Sequence, residues 1–293
     1  MYWTYSNLLA RTRLLINAPA QFQEADADLL ARLNDFYQTR FPVRVKPDDL
    51  STTYRFQTVG AYQVQTGDGV TKTWTGVLST VPGVCGVGFS DSVETFKSDE
   101  NGILWGTYGG LGTISYQTGA YVLTFHTASA SGAQIGVYYD TYTLPDNVLT
   151  VSAPAVVAGY PLSLVEDVET FWSHWPMYQP YYMGGAAPPI YMPNIPQECL
   201  NYDGRLTMRP VPDQPYLFES ASVLKPAAIS PTSNILRDIW GPYIAIETAY
   251  EWLLEMGDEE SASELIVQRE QALGDVLSVE ISKRMNQRAK GRW

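Results

Sequence analysis

Histidine and cysteine are nearly missing from this chain, with two of each in 293 residues. Cys85 and Cys199 stand far apart without companion ligands, so neither a zinc site nor a disulfide framework is indicated, and two buried free thiols are expected. His126 falls in a stretch read as a strand and His174 between two tryptophans. Neither has a Cys or carboxylate at ligand spacing, so packing or a surface position is expected for both. There is no G-x-S-x-G nucleophile elbow, no Walker-type loop and no dinucleotide glycine pattern, and the glycines at 106–112 lie between strands rather than before a helix. The adjacent carboxylates Asp99/Glu100 and Glu166/Asp167 would point to opposite faces of a strand, which makes them poor acid–base pairs for glycoside hydrolysis. A triad assembled in three dimensions leaves no trace in spacing. The expectation is nonetheless a chain that is not an enzyme and uses no cofactor or metal.

Positive charge is also scarce. With 19 basic against 31 acidic residues and a net charge of −12, the main body is poorly suited to gripping nucleic acid, which needs clustered Lys and Arg to neutralise phosphates. No apolar run reaches the roughly 18 residues of a membrane span, so no membrane partner is expected. Arg11 and Arg13 interrupt the apolar start of the chain, and no secretory leader is read there, which places assembly in a cytoplasm.

What is present is sorted along the chain. Residues 231–280 hold eleven Asp/Glu against two Arg, whereas 283–293 hold Lys283, Arg284, Arg288, Lys290 and Arg292 without an acid. Leu29, Leu30, Leu33, Phe36 and Tyr37 recur at helical spacing, predicting an amphipathic helix over 24–41 that ends at Phe41-Pro42. STTYRFQTV alternates at β spacing, the later DTYTLPDNVLTVSAPAVVAGYPL resumes in the same style, and the two read as one strand pair split by an insert. Within 60–142, turn signals at Gly67–Gly69, Pro82-Gly83, Asn101-Gly102, Gly109-Gly110 and Thr118-Gly119 mark six to eight short strands of a self-contained sandwich or barrel. Its expected core is Trp74, Phe89, Phe96, Trp105, Ile114, Tyr116, Val122, Phe125 and Val137. A short helix bearing Phe171, Trp172 and Trp175 follows, then a Pro/Gly/Tyr-rich loop, a hairpin at Tyr202-Asp203-Gly204 and a strand at YLFESASVL.

The C-terminal region reads as a helical hairpin. Pro242 suits a first helical turn, and Tyr243, Ile246, Ala249, Tyr250, Leu253 and Leu254 continue one face until Gly257 closes it. Asp258 caps a second helix whose face runs through Ala262, Leu265, Ile266, Leu273, Val276 and Leu277. The acidic residues of these helices form solvated outer faces or, alternatively, the wall of a passage that repels DNA. Exposed aromatics of the insert, notably Trp74, Trp105, Tyr108 and Tyr138, permit a sugar-stacking module, against the plainer reading that they fill a core.

The ordered set ARLNDFYQTRFPVRVKPDDL, TTYRFQTV, DTYTLPDNVLTVSAPAVVAGYPLSLVEDVETFWSHWP, YDGRLTMRPVPDQPYLFE and ILRDIWGPYIAIETAYEWLLEMGDEESASEL resembles head-to-tail adaptor (connector) proteins of tailed bacteriophages, over roughly 24–59 and 141–290. The stretch between them looks like an Ig-like β-module found in phage virion proteins. The resemblance implies an α+β fold: a helical adaptor core over 1–59 and 143–293, built from a helical hairpin, an N-terminal helix and short strands. An all-β Ig-like sandwich is inserted at 60–142, and 283–293 forms an extended basic tail. It further implies a virion protein of the head–tail junction, assembled in the host cytoplasm as a homo-oligomeric ring, usually of twelve. Such a ring binds the portal protein, carries a tail or nozzle protein and lets double-stranded DNA pass without specific binding.

On that reading Lys283, Arg284, Arg288, Lys290, Arg292 and Trp293 would dock in an acidic, apolar portal groove. A frayed basic terminus and a DNA-binding tail stay open as alternatives for the same residues. Tyr243, Ile246, Tyr250, Leu253, Leu265 and Leu273 would line the ring wall between subunits. Glu247, Glu251, Glu255, Glu259 and Glu260 would form an acidic channel face. The competing reading is a carbohydrate- or receptor-binding tail or baseplate module acting through the β-insert.

Overall fold

Period-two alternation dominates the middle of the chain and gives it its architecture. The computed structural model describes residues 3–17, 26–79, 84–175 and 193–290, with backbone alone at 84–85 and 284–290. Two compact units divide the chain. One comprises Met1–Thr52, Asn147–Thr150 and Val223–Trp293, the other Thr53–Asp146 and Val151–Ser222.

The strands are β1 (Ser51–Gln57), β2 (Tyr62–Thr66), β3 (Thr73–Val77), β4 (Val84–Ser90), β5 (Thr95–Ser98), β6 (Ile103–Gly106), β7 (Leu111–Ile114), β8 (Ala120–Thr124), β9 (Gln134–Thr143), β10 (Val148–Val157), β11 (Tyr160–Val165), β12 (Glu198–Tyr202), β13 (Arg205–Arg209) and β14 (Leu217–Leu224). They join in one fourteen-stranded sheet, in the order β1-β14-β10-β11-β12-β13-β9-β4-β5-β6-β7-β8-β3, with β2 added on β9. The sheet is mixed: β11 and β12 run parallel, with Leu164 opposite Cys199, while β9 pairs antiparallel with β2, β4 and β13.

This overturns the expected fold class. The chain is built on a large mixed sheet with few helices, not on a helical adaptor core carrying a small Ig-like insert. The reason lies in β9. Its first residues pair with β2 (Val137 opposite Tyr62), while its last pair with β13 (Tyr142 opposite Leu206), and β4 covers its other side. Backbone groups beyond residue 140 thereby find partners in strands from 198–209, so the sheet does not stop where the insert was expected to end. The expected pairing of 51–59 with the strand after 142 is also corrected, because β14 is the hydrogen-bonded neighbour of β1.

Phe89, Phe96, Ile114, Phe125 and Val137 are buried as the alternation predicts, whereas Trp105 and Val122 are 57% and 42% exposed. In β6 and β8 it is Leu104, Tyr121 and Leu123 that turn inward, one residue out of phase with the expectation. Two buried carboxylates tie the turns of this unit. Glu94 Oε1 accepts from the Gly110 and Tyr108 N–H groups (2.7 and 3.3 Å) and Oε2 from His126 N–H (2.8 Å). Asp91 accepts from the backbone of Val93 and Glu94 and from Ser129 Oγ. Glu94→Ala strands three backbone donors, and a loss of about 3 kcal/mol in urea unfolding is expected, against little change for exposed Val93→Ala.

The helical unit starts with α1 (Tyr5–Ile16), capped by Thr4 Oγ1 on the Asn7 N–H. It occupies a stretch for which no helix was expected. The predicted helix at 24–41 is α2 (Asp26–Asp35), extended by a π-helical turn over Phe36–Arg40 and by α3 (Phe41–Val45), while residues 24–25 lie outside the described residues. Pro42 does not end it. The turn opens to a Phe41 N–H to Phe36 C=O bond, and this wider geometry relieves the clash a proline ring makes with the preceding turn.

The hairpin falls where local signals place it, as α5 (Gly241–Glu255) and α6 (Glu259–Lys290). Gly257 adopts φ 76°, and Asp258 accepts the Ser261 N–H at 3.0 Å. The core of the unit is aromatic: Phe41 lies 5.0 Å from Trp240 and Phe36 5.7 Å from Tyr243. Gly241 is required there, since a Cβ would sit 2.2 Å from the Trp3 ring. The short helix α4 (Val168–His174) buries Phe171 with Trp175 and Leu200, and Asp167 caps it.

Candidate functional site

The carboxylates expected to face a channel are mostly answered from within the helical unit. Glu247, Glu251 and Glu255 recur every four residues along one side of α5, as 3.6-residue periodicity requires. Opposite them stand arginines from α2, the π turn and α3. Arg32 pairs with Glu255, Arg40 with Glu251 and with Asp35, and Arg44 with Glu247 at 2.9 Å. Glu247 is only 3% exposed and is also held by Arg269 of α6, whose guanidinium lies 4.6 Å from the Tyr250 ring. Burial removes Glu247 from the expected acidic channel face, while Glu251 and the exposed Glu255 stand in the same ladder of ion pairs. Burial, then the neighbouring Glu247 carboxylate, push the Tyr243 hydroxyl well above its usual range. Glu259 and Glu260 are exposed in the first turn of α6, where the helix dipole favours them.

The residues expected at subunit contacts belong to the unit's own core. Tyr243, Ile246, Leu253 and Leu265 are buried, and Tyr250 and Leu273 pack partly buried against the same cluster. The outward side of α6 instead shows Ile266, Val267 and Ile281, with Val267 73% exposed.

The basic end also differs from expectation. Lys283 is tied inward, 2.7 Å from the buried carboxylate of Glu280 and 3.4 Å from Asp49, which Arg237 also holds. The Arg237 hydrogen bond, aided by both cations, holds the Asp49 carboxyl below its usual value. Arg284, Arg288 and Lys290 continue α6 rather than forming the expected extended tail, while Arg292 and Trp293 lie outside the described residues. Good helix formers such as Met285, Gln287, Arg288 and Ala289 account for the continuation.

In the β unit, the residues weighed for chemistry have structural partners. Asp99 accepts two backbone N–H groups of its own turn, Glu100 pairs with Arg205, and Asp167 is a helix cap. His174 lies 3.3 Å from Glu198 and His126 is exposed. Cys199 is buried with its thiol pushed up by desolvation, and the side chain of Cys85 lies outside what is described. Most of the Pro/Gly/Tyr-rich loop, 176–192, is likewise outside the described residues. Among the described residues no group of His, Cys, Asp or Glu could hold a metal ion, and no helix is long and apolar enough to cross a membrane.

Of the aromatics weighed for sugar stacking, Tyr138 is buried and Trp74 half-buried, but Trp105 and Tyr108 are 57% and 64% exposed. Sequence reading missed a buried cluster in which Asp140 is held by Arg209 at 2.8 Å and Lys97 at 3.4 Å. Both cations also lie over the Trp172 ring, at 5.3 and 4.8 Å. No protein-family model matches the chain, and no curated protein matches it either.

Proposed function

We propose that the chain is a non-enzymatic virion protein of the head-to-tail adaptor type, which binds a portal protein as a homo-oligomeric ring, extends the DNA channel and carries a tail or nozzle protein. The observation that carries this reading is the C-terminal helix. α6 is anchored as far as Glu280 and Lys283 and then runs on to Lys290 through a segment of positive charge. A basic helix leaving an acidic body suits a groove of opposite charge on a partner. The exposed Glu259 and Glu260 suit a wall past which DNA slides without binding. The ordered resemblance to adaptors along 24–59 and 141–290 supports the same function while leaving the architecture as described above.

The test is portal-ring binding by the full chain and by a chain ending at Lys283, which keeps the ion pairs to Glu280 and Asp49. At least tenfold weaker binding is expected for the shorter chain. Equal binding would remove the docking role from Arg284, Arg288, Lys290, Arg292 and Trp293.

A second reading is favoured by one observation, the exposure of Trp105 and Tyr108 on the β unit. Solvent-facing aromatic rings suit recognition of a carbohydrate or a carbohydrate-bearing receptor. The two readings are compatible in one virion protein, since they use different units.

A further inference from the structure

The sheet's register assembles an unusual surface in the β unit. Along one row, Lys97 lies opposite Trp105, Trp105 opposite Leu111, Leu111 opposite Thr124, and Thr124 opposite Thr73. The next row sets Ile103, Thr113, Val122 and Thr75 side by side on β6, β7, β8 and β3. Trp105 and Leu111 are 57% and 53% exposed, and the four threonines are exposed as well. From β6 to β3 neither row contains a charge, in a chain with 50 charged residues by the count of 19 and 31.

Beside Trp105 the surface dips into a cleft of about 250 Å³, lined by Lys97, Asp99, Trp105, Thr107 and Tyr138. Thr107 Oγ1 accepts the Thr95 N–H at 3.2 Å, which leaves its own proton to donate. Asp99 Oδ1 takes the Asn101 and Ile103 N–H groups, each at 2.9 Å, and Oδ2 has no hydrogen bond among the described residues. Lys97 offers no spare charge, because Asp140 and the Trp172 ring already answer it.

We propose that this face binds a neutral glycan, with Trp105 as the stacking platform and the Asp99/Thr107 cleft as the first sugar subsite; the proposal rests on the carbohydrate-binding reading above. A pyranose has an apolar C–H face and a rim of hydroxyls. It therefore matches an indole flanked by aliphatic side chains, threonine hydroxyls, one acceptor carboxylate and one hydroxyl donor. An acidic sugar would meet Asp99 with no free cation to offset it. The absence of charge across the rows accordingly selects neutral over anionic glycans.

The test uses the full chain on an array of neutral and acidic glycans, followed by calorimetry with cellohexaose, maltohexaose and chitohexaose and with a hyaluronan hexasaccharide as the acidic probe. Binding of a neutral probe is expected, weakened at least tenfold by Trp105→Ala and by Asp99→Asn and unchanged by Tyr108→Ala. Trp105 is largely outside the core, so circular dichroism of Trp105→Ala should overlay that of the parent. Neutral-glycan binding that survives Trp105→Ala would overturn this site while leaving the carbohydrate reading standing. Preference for the acidic probe would overturn the assignment of Asp99. No glycan binding at all would overturn both. In that last case, self-association that Trp105→Ala abolishes would assign the face to a second copy of the chain.

Discussion

Replacing Glu247 by alanine is expected to cost the helical unit about 3 kcal/mol, the lower end of the range for breaking a buried ion pair, because Glu247 is buried while Arg44 and Arg269 are 40% and 22% exposed. Glu247 has one carboxylate oxygen 2.9 Å from Arg44 and the other 2.5 Å from Arg269, joining α3 and α6 across α5. Alanine leaves two guanidinium groups facing each other without the charge that separates them. Outer rungs differ sharply. Arg32 and Glu255 are 33% and 56% exposed at their side chains, and such surface pairs contribute about 0–1 kcal/mol. Thermal melts of Glu247→Ala and Glu255→Ala should therefore separate by roughly 10 °C, with the first the lower. Equal, small shifts in both would mean that the ladder is decorative and that Glu247 is not the joint of the unit.

The β unit should respond as strongly to loss of Arg209. Burial on its own pushes the Asp140 carboxyl up, but the charges of Lys97 and Arg209, the Arg209 hydrogen bond and that of Thr141 outweigh it and bring its pKa down to about 2 from 3.8. A depressed carboxyl contributes stability that is present above the unfolded value and is lost as pH falls from about 4 through about 2. Arg209→Met removes the nearer cation at nearly constant volume and leaves Asp140 with Lys97 alone. The expected result is a loss of about 3 kcal/mol or more at neutral pH in urea unfolding. The acid limb of the stability curve should also move to higher pH, because Asp140 no longer resists protonation as far down. Asp140→Asn should abolish that limb's contribution. An acid limb identical in parent and Arg209→Met would contradict the assigned pairing.

Elements set by neighbouring residues were readable from the sequence. Gly257 with Asp258 marks the α5–α6 turn, Asp203-Gly204 the β12–β13 turn, and Phe171 with Trp175 the buried side of α4, because caps, turns and helix faces are decided within a few positions. The sheet was not readable, since strand partners are non-local. Nothing in RLTMR announces that Leu206 lies opposite Tyr142. Trp105 shows the sharpest sensitivity: a one-residue slip in an alternating run exchanges core and surface, and Leu104 took the inward position.

The ion-pair ladder lay between these cases. Its partners are 203 to 223 residues apart, beyond any spacing argument. A signal was nonetheless present, in that Arg32, Arg40 and Arg44 are spaced by eight and four residues, and Glu247, Glu251 and Glu255 by four. Two helical stripes of opposite sign are complementary faces. The acidic stripe alone suggests a channel wall, because no local spacing joins it to arginines some two hundred positions away.

Electron microscopy of the purified full chain mixed with its portal ring tests the adaptor reading most directly. The account predicts an additional symmetric ring on the portal with the full chain, and none with the chain ending at Lys283. A folded full-length protein that leaves the portal bare would contradict the adaptor function and leave the glycan-binding face of the β unit as the surviving account.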